Sequence, residues 1–285
     1  MSIKHIITPR EKDIGDFSVR RVLPYARQKM VGPWIFFDHM GPASFPAGKG
    51  VNVRPHPHIN LATVTYLFEG EIFHRDSLGN AQSIHPGDIN LMVAGRGITH
   101  SEREREEVKS VAHSLHGLQL WHALPEADEE TDPAFYHYPA RELPTFLQAG
   151  VDMRLMMGSA YGFTSPVKTF AETLYLEAHM KTGQAFDLPG AEQLAVYVAA
   201  GKVSINDQEI SRYSMAVLDD GQSGTVQALE DACIAIIGGE PMPERYLDWN
   251  FVSSSRERIE QAREDWAAGR FPLVPGDEEE FIPLP

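Results

Sequence analysis

The chain repeats itself. Tyr66-Leu67-Phe68-Glu69-Gly70-Glu71-Ile72 returns as Tyr197-Val198-Ala199-Ala200-Gly201-Lys202-Val203, and Asp76 returns as Asp207, at a constant offset of 131 residues (197 minus 66). A repeat of that length within 285 residues predicts two domains built on one plan, each large enough for its own core. Around both copies, short apolar runs alternate with turn signals such as Leu78-Gly79-Asn80, Pro86-Gly87-Asp88 and Asn206-Asp207, the spacing of an antiparallel jelly-roll barrel. Helical periodicity is confined to the C-terminus. There Ser253 to Ser255 can cap a helix that carries Ile259, Ala262 and Trp266 at three- to four-residue spacing and stops at Gly269. The expected fold class is all-β, two tandem β-barrels with a short C-terminal helix. Pro144 and Gly150 bracket a loop-like stretch, which divides the chain into residues 1–143 and 144–285. The tail from Phe271, with its prolines and Asp277-Glu278-Glu279-Glu280, is expected to be extended and partly mobile.

A cytoplasmic location is expected. With 42% hydrophobic residues the chain is too apolar for disorder, yet it has no apolar run long enough to span a membrane. Met1 to Arg10 lacks the charged start and apolar core of a signal peptide. The one cysteine, Cys233, cannot form an internal disulfide and sits in the apolar run Ala232 to Ile237, where it reads as a buried strand residue. A formal net charge of -15 repels phosphate backbones and anionic lipid, which argues against direct binding of nucleic acid or membrane. The mixed run Glu102-Arg103-Glu104-Arg105-Glu106-Glu107 is expected to be a solvated loop or hairpin edge.

Two short patterns carry chemistry. His56-Pro57-His58 and His100-Ser101-Glu102 each place two metal-ligating side chains at i, i+2, on one face of an extended chain. Pro57 pushes His56 toward extended backbone. Three imidazoles and a carboxylate suit Fe(II), Mn(II), Ni(II), Cu(II) or Zn(II) better than Ca(II) or Mg(II). Shifting His56 and His58 by the repeat offset lands on Asp187 and Pro189, and no His-x-Glu pair follows near Val226 to Ala228, so the second barrel is expected to lack this site. His179 is its only histidine. His74 and His85 are expected at exposed strand ends. Of His116 and Gln119, at most one should reach the pocket, because three-residue spacing puts them on opposite faces unless a bulge intervenes.

Taken together, His56-Pro57-His58, Thr63 to Glu71, His74 to Asn80, Pro86-Gly87-Asp88, Gly97 to Glu102 and His116 to Trp121 resemble the pirin family of the cupin superfamily. The resemblance implies two cupin domains and an iron held by His56, His58, His100 and Glu102 in the N-terminal one. It also implies quercetin 2,3-dioxygenase activity, in which O2 opens the central ring of a flavonol with loss of carbon monoxide and Glu102 doubles as general base. A second role implied by the family is that of a non-catalytic regulator that binds a partner protein according to the oxidation state of the iron. Where many pirins carry Arg-Gly-Phe-Glu after the second histidine, this chain has Ile59-Asn60-Leu61-Ala62, which marks these positions for substrate preference.

Overall fold

The computed structural model describes residues 3–14, 17–222 and 224–285. Its contacts gather into two units. One comprises Glu11–Val19, Asp38–Ala140 and Pro243–Pro285; the other comprises Met1–Arg10, Arg20–Phe37 and Arg141–Met242. The chain passes from the first to the second at Ala140 and Arg141, near the expected 143/144 boundary, but the two units are not continuous blocks. The strand Ile3–Ile7 pairs antiparallel with Met215–Leu218, and so belongs with the later unit. The C-terminal segment, conversely, belongs with the earlier one.

In the first unit, Ala134–Tyr138, Ile89–Val93, Leu61–Glu69 and His113–Ala123 are hydrogen-bonded in that order within one sheet. A second sheet runs Asn52–His58, Ile98–Arg103, Ile72–Asp76, Ala81–Ile84. Leu67 and Leu115 from the larger sheet meet Ile72 and Ile84 from the smaller in one buried cluster. Because side chains alternate along a strand, the residues that share a face with Leu67 are Thr63 and Thr65, so the same strand offers apolar packing and then hydroxyls.

The helix Arg256–Ala267 forms where its cap predicts: Ser255 Oγ accepts from Arg258 N at 3.2 Å. Ile259 and Ala262 bury against Phe251 and Ile59, with Trp249, Trp266, Phe271 and Leu284 packed around them. Ile59 is thus committed to holding the helix. Asn60, in a left-handed conformation (φ 58°), donates through Nδ2 to Glu129 O at 2.6 Å and to Glu130 Oε1 at 2.9 Å. Both residues act in packing.

The tail beyond the helix is extended but firmly attached. Ile282 N donates to Pro55 O at 2.8 Å, and Trp266 Nε1 donates to Ile282 O at 2.9 Å. Arg103 forks onto Asp277, Nε and Nη2 each at 2.7 Å, and Nη2 reaches Glu280 at 3.3 Å. The charged run from Glu102 is part solvated and part engaged: Arg105, Glu106 and Glu107 are exposed, while Glu104 is buried. Arg105 pairs with Glu71 (Nη2 to Oε2, 2.8 Å), and buried Glu104 accepts from Val51 N at 3.0 Å and from His113 Nε2 at 2.9 Å. Arg103, the last residue of its strand, and Arg105, which precedes the short helix Glu106–Lys109, thus each meet an acidic partner from another segment.

The second unit follows the same plan. Ile3–Ile7, Met215–Leu218, Gln193–Ala200, Ala232–Gly239, Thr173–Met180, Val151–Met157 and Thr145–Gln148 form one sheet; Ala185–Asp187, Thr225–Ala228, Lys202–Ile205 and Gln208–Ser211 form the other. In place of histidines, the smaller sheet sends Phe186, Val203, Ile205, Val226 and Ala228 into an apolar core shared with Leu176, Val196 and Ile236.

Candidate metal centre

Strand pairing brings the two candidate pairs, His56 with His58 and His100 with Glu102, onto neighbouring strands. Ile98–Arg103 lies between Asn52–His58 and Ile72–Asp76, with His100 opposite His56 on one side and opposite Asp76 on the other. Ile98 opposes His58, and the register slips between His100 and Glu102, so that Glu102 faces Val53 and, on the other side, His74. The extra residue lies in Asn52–His58, so His100 and Glu102 keep regular alternation on one face of their own strand. His56, His58 and His100 are all buried, and a ring nitrogen of each lies within 4.8 Å of the other two.

Outer hydrogen bonds fix which nitrogen points inward. His56 Nδ1 donates to Arg54 O at 2.9 Å and His58 Nδ1 to Asn250 O at 3.0 Å, which leaves each Nε2 with its lone pair. His100 Nδ1 lies 3.4 Å from His74 Nδ1, and His74 Nε2 lies 2.9 Å from Asp76 Oδ2. With Asp76 accepting the Nε2 proton of His74, the proton between the two rings sits on His100 Nδ1. His100 Nε2 is then a buried acceptor with no partner among the described residues. A buried polar atom left unpaired costs about 1–3 kcal/mol, and a cation bound by His100 Nε2 together with the neighbouring imidazoles removes that cost. The donor set therefore fits a metal ion.

Electrostatics keep these imidazoles in the ligating form. Burial lowers the pKa of His56 to about 4, against the opposing pull of its bond to Arg54 O. His58 and His100 are pushed well below the ordinary value, first by burial and then by neighbouring imidazoles. All three are neutral at pH 7.

Glu102 stands beside this trio and outside its 4.8 Å group. Its Oε1 accepts from Gln119 Nε2 at 3.3 Å and from Thr65 Oγ1 at 3.4 Å, both on the larger sheet, where Gln119 and Thr65 are register partners. Burial raises its pKa, with His74 and these two bonds acting in the opposite sense. Of the pair His116 and Gln119, only Gln119 reaches the site. The register shift here lies at Phe68 of the partner strand, so alternation along His116 to Gln119 is unbroken and keeps the two apart, and His116 stacks on His39 instead, ring centroids 4.8 Å apart. Trp121 stands edge-on to His58 at 5.0 Å.

His74 corrects the expectation of an exposed strand end. It is buried, stacked on Phe135 with centroids 4.4 Å apart, and carries the Asp76 link to His100. Asp76 also accepts from Leu78 N, Asn80 N and Asn80 Nδ2, which close the following turn. Burial alone would raise its pKa, but His74 and Asn80 hold it below the ordinary value. The His74-x-Asp76 spacing, identical to that of the ligand pairs, is the sequence signal for this support. Asn250 O, the partner of His58, has no such signal. It is held there by Glu129, which accepts from Ser254 N at 2.9 Å and forms a buried ion pair with Arg245 at 2.8 Å.

Two family models match the chain: Pirin over residues 16–122 and the Pirin C-terminal cupin domain over residues 175–272. A pirin-like protein of Caulobacter vibrioides is 47% identical over 285 residues, covering 98% of both chains. Among solved structures, a quercetin 2,3-dioxygenase from Acinetobacter baumannii is 33% identical with a TM-score of 0.92, covering 99% of this chain and 94% of that one. Another quercetin 2,3-dioxygenase from the same organism is 25% identical with a TM-score of 0.88, covering 94% and 97%.

Proposed function

Because the chain belongs to the pirin family, we propose that it is a metal-dependent dioxygenase that opens flavonols, with His56, His58, His100 and Glu102 as ligands of an Fe(II) ion. The observation that carries this reading is the buried imidazole trio, each Nδ1 engaged outward and each ring neutral. The quercetin 2,3-dioxygenases of the same fold at 33% and 25% identity support the substrate class.

Bound iron would supply a Lewis-acidic, redox-active centre for a substrate with adjacent hydroxyl and carbonyl oxygens and for O2. The chain's own contribution is proton handling and orientation. Gln119 and Thr65 anchor Oε1 of Glu102; as a ligand the carboxylate would hold the metal through one oxygen and accept the proton of a flavonol 3-hydroxyl on its free oxygen, or after detaching.

The test is oxygen uptake with carbon monoxide detection, by anaerobically iron-loaded protein given a panel of flavonols, beside a His56→Ala, His58→Ala variant. Uptake with carbon monoxide release that the variant lacks is expected; no uptake from fully loaded protein would refute the activity. A Glu102→Gln variant that keeps its iron should turn over more slowly, and unchanged turnover would remove Glu102 as the base.

A further inference from the structure

A second group of ligand side chains lies on the opposite unit from the imidazole trio. Thr173–Met180 and Ala232–Gly239 pair antiparallel with His179 opposite Cys233. Leu174, Leu176, Ala178 and Met180 of one strand, and Ala232, Ile234 and Ile236 of the other, fill the core. Alternation therefore sends Glu177, His179 and Cys233 to the other face of the sheet. One ligand atom from each of these three lies within 4.8 Å of the other two. Glu177 is buried, Cys233 half-buried and His179 exposed, so the cluster is reachable from solvent at its imidazole edge.

One oxygen holds the cluster together. Glu177 Oε1 accepts from the Cys233 thiol at 3.7 Å and pairs with His179 Nε2. Two protons thus converge on a single carboxylate oxygen, where a cation could replace the thiol proton and use all three donors. We propose that Glu177, His179 and Cys233 form a second metal site, specific for a thiophilic divalent ion of the zinc type. Carboxylate, imidazole and thiolate are the donors that zinc takes, and three of them leave a fourth, solvent-facing position for water. Binding proceeds with balance: the thiol loses one proton to solvent, the proton that His179 Nε2 directs at Glu177 moves to Nδ1 or leaves to solvent so that the neutral ring can ligate, and the two anionic donors neutralise the dication. Of the flanking groups, Asp152 opposes His179 and adds negative charge, while Arg154 opposes Glu177. This site is separate from the imidazole trio and independent of the proposed reaction.

The single cysteine makes the test specific. Cobalt(II) titrated into the full chain can give a thiolate-to-cobalt charge-transfer band only at Cys233, whatever the imidazole trio binds. The expected result is a band that saturates when one cobalt per chain has bound beyond any taken by the imidazole trio, disappears on added zinc, and is missing from Cys233→Ser. His179→Ala, a change at an exposed side chain that leaves the core intact, should weaken the titration by roughly tenfold or more, as should Glu177→Gln. No band at cobalt concentrations that fill the imidazole trio would overturn the proposal. A band of undiminished affinity in both His179→Ala and Glu177→Gln would overturn it equally.

Discussion

Lowering the pH should destabilise the metal-free protein through its buried imidazoles, and the size of the effect follows from His56. Its pKa falls from 6.5 in the unfolded chain to about 4 in the folded one because burial disfavours the imidazolium. Above pH 6.5 both states are neutral and the ring adds no pH dependence. As the pH falls, the unfolded state takes up a proton that the folded state refuses, so stability is lost through the window from 6.5 down to about 4. At 1.36 kcal/mol per pKa unit, the loss from this ring is about 2 kcal/mol by pH 5 and about 3 kcal/mol by pH 4. His58 and His100 shift in the same direction and add to it. The assay is urea unfolding of chelator-treated protein at a series of pH values, followed by the fluorescence of Trp121 beside His58 and its fellow tryptophans. A His56→Asn variant keeps a donor toward Arg54 O but cannot titrate, and its stability should fall less steeply by the stated amount. Parallel curves for the variant and the parent would refute the reasoning.

Asp76→Asn preserves an acceptor for the turn but removes the anion that orients His74, and through it His100; metal affinity, measured against a competing chelator, should fall by about 10–100-fold. Arg245→Ala leaves Glu129 buried without its cation, which should cost about 3–5 kcal/mol in denaturant unfolding. The same variant should bind metal more weakly, because Glu129 secures the segment that supplies Asn250 O to His58. Gly158→Ala would set a Cβ 1.7 Å from Thr173 O at a φ of +83°, and should lower stability by more than about 1 kcal/mol without altering the metal affinity of the imidazole trio.

The sequence determined whatever repeats at short range. Alternation at two residues put His56 with His58 and His100 with Glu102 on common faces, because backbone pleating imposes that period regardless of partners. The 131-residue echo carried the duplicated barrel, and Ser255 marked the helix because its cap bonds only three residues ahead. Tertiary structure decided what depends on register between distant strands. The pairing of Ile98–Arg103 between Asn52–His58 and Ile72–Asp76 decides what His100 and Glu102 meet, and Thr65 and Gln119 of another sheet claim one oxygen of the carboxylate. His58 is oriented by a carbonyl 192 residues away. Glu177 and Cys233, 56 residues apart, meet only because two core strands pair in one register. Local sequence sets where a side chain points along its own strand, whereas packing of the whole core selects which strand it meets, and no short window contains that competition.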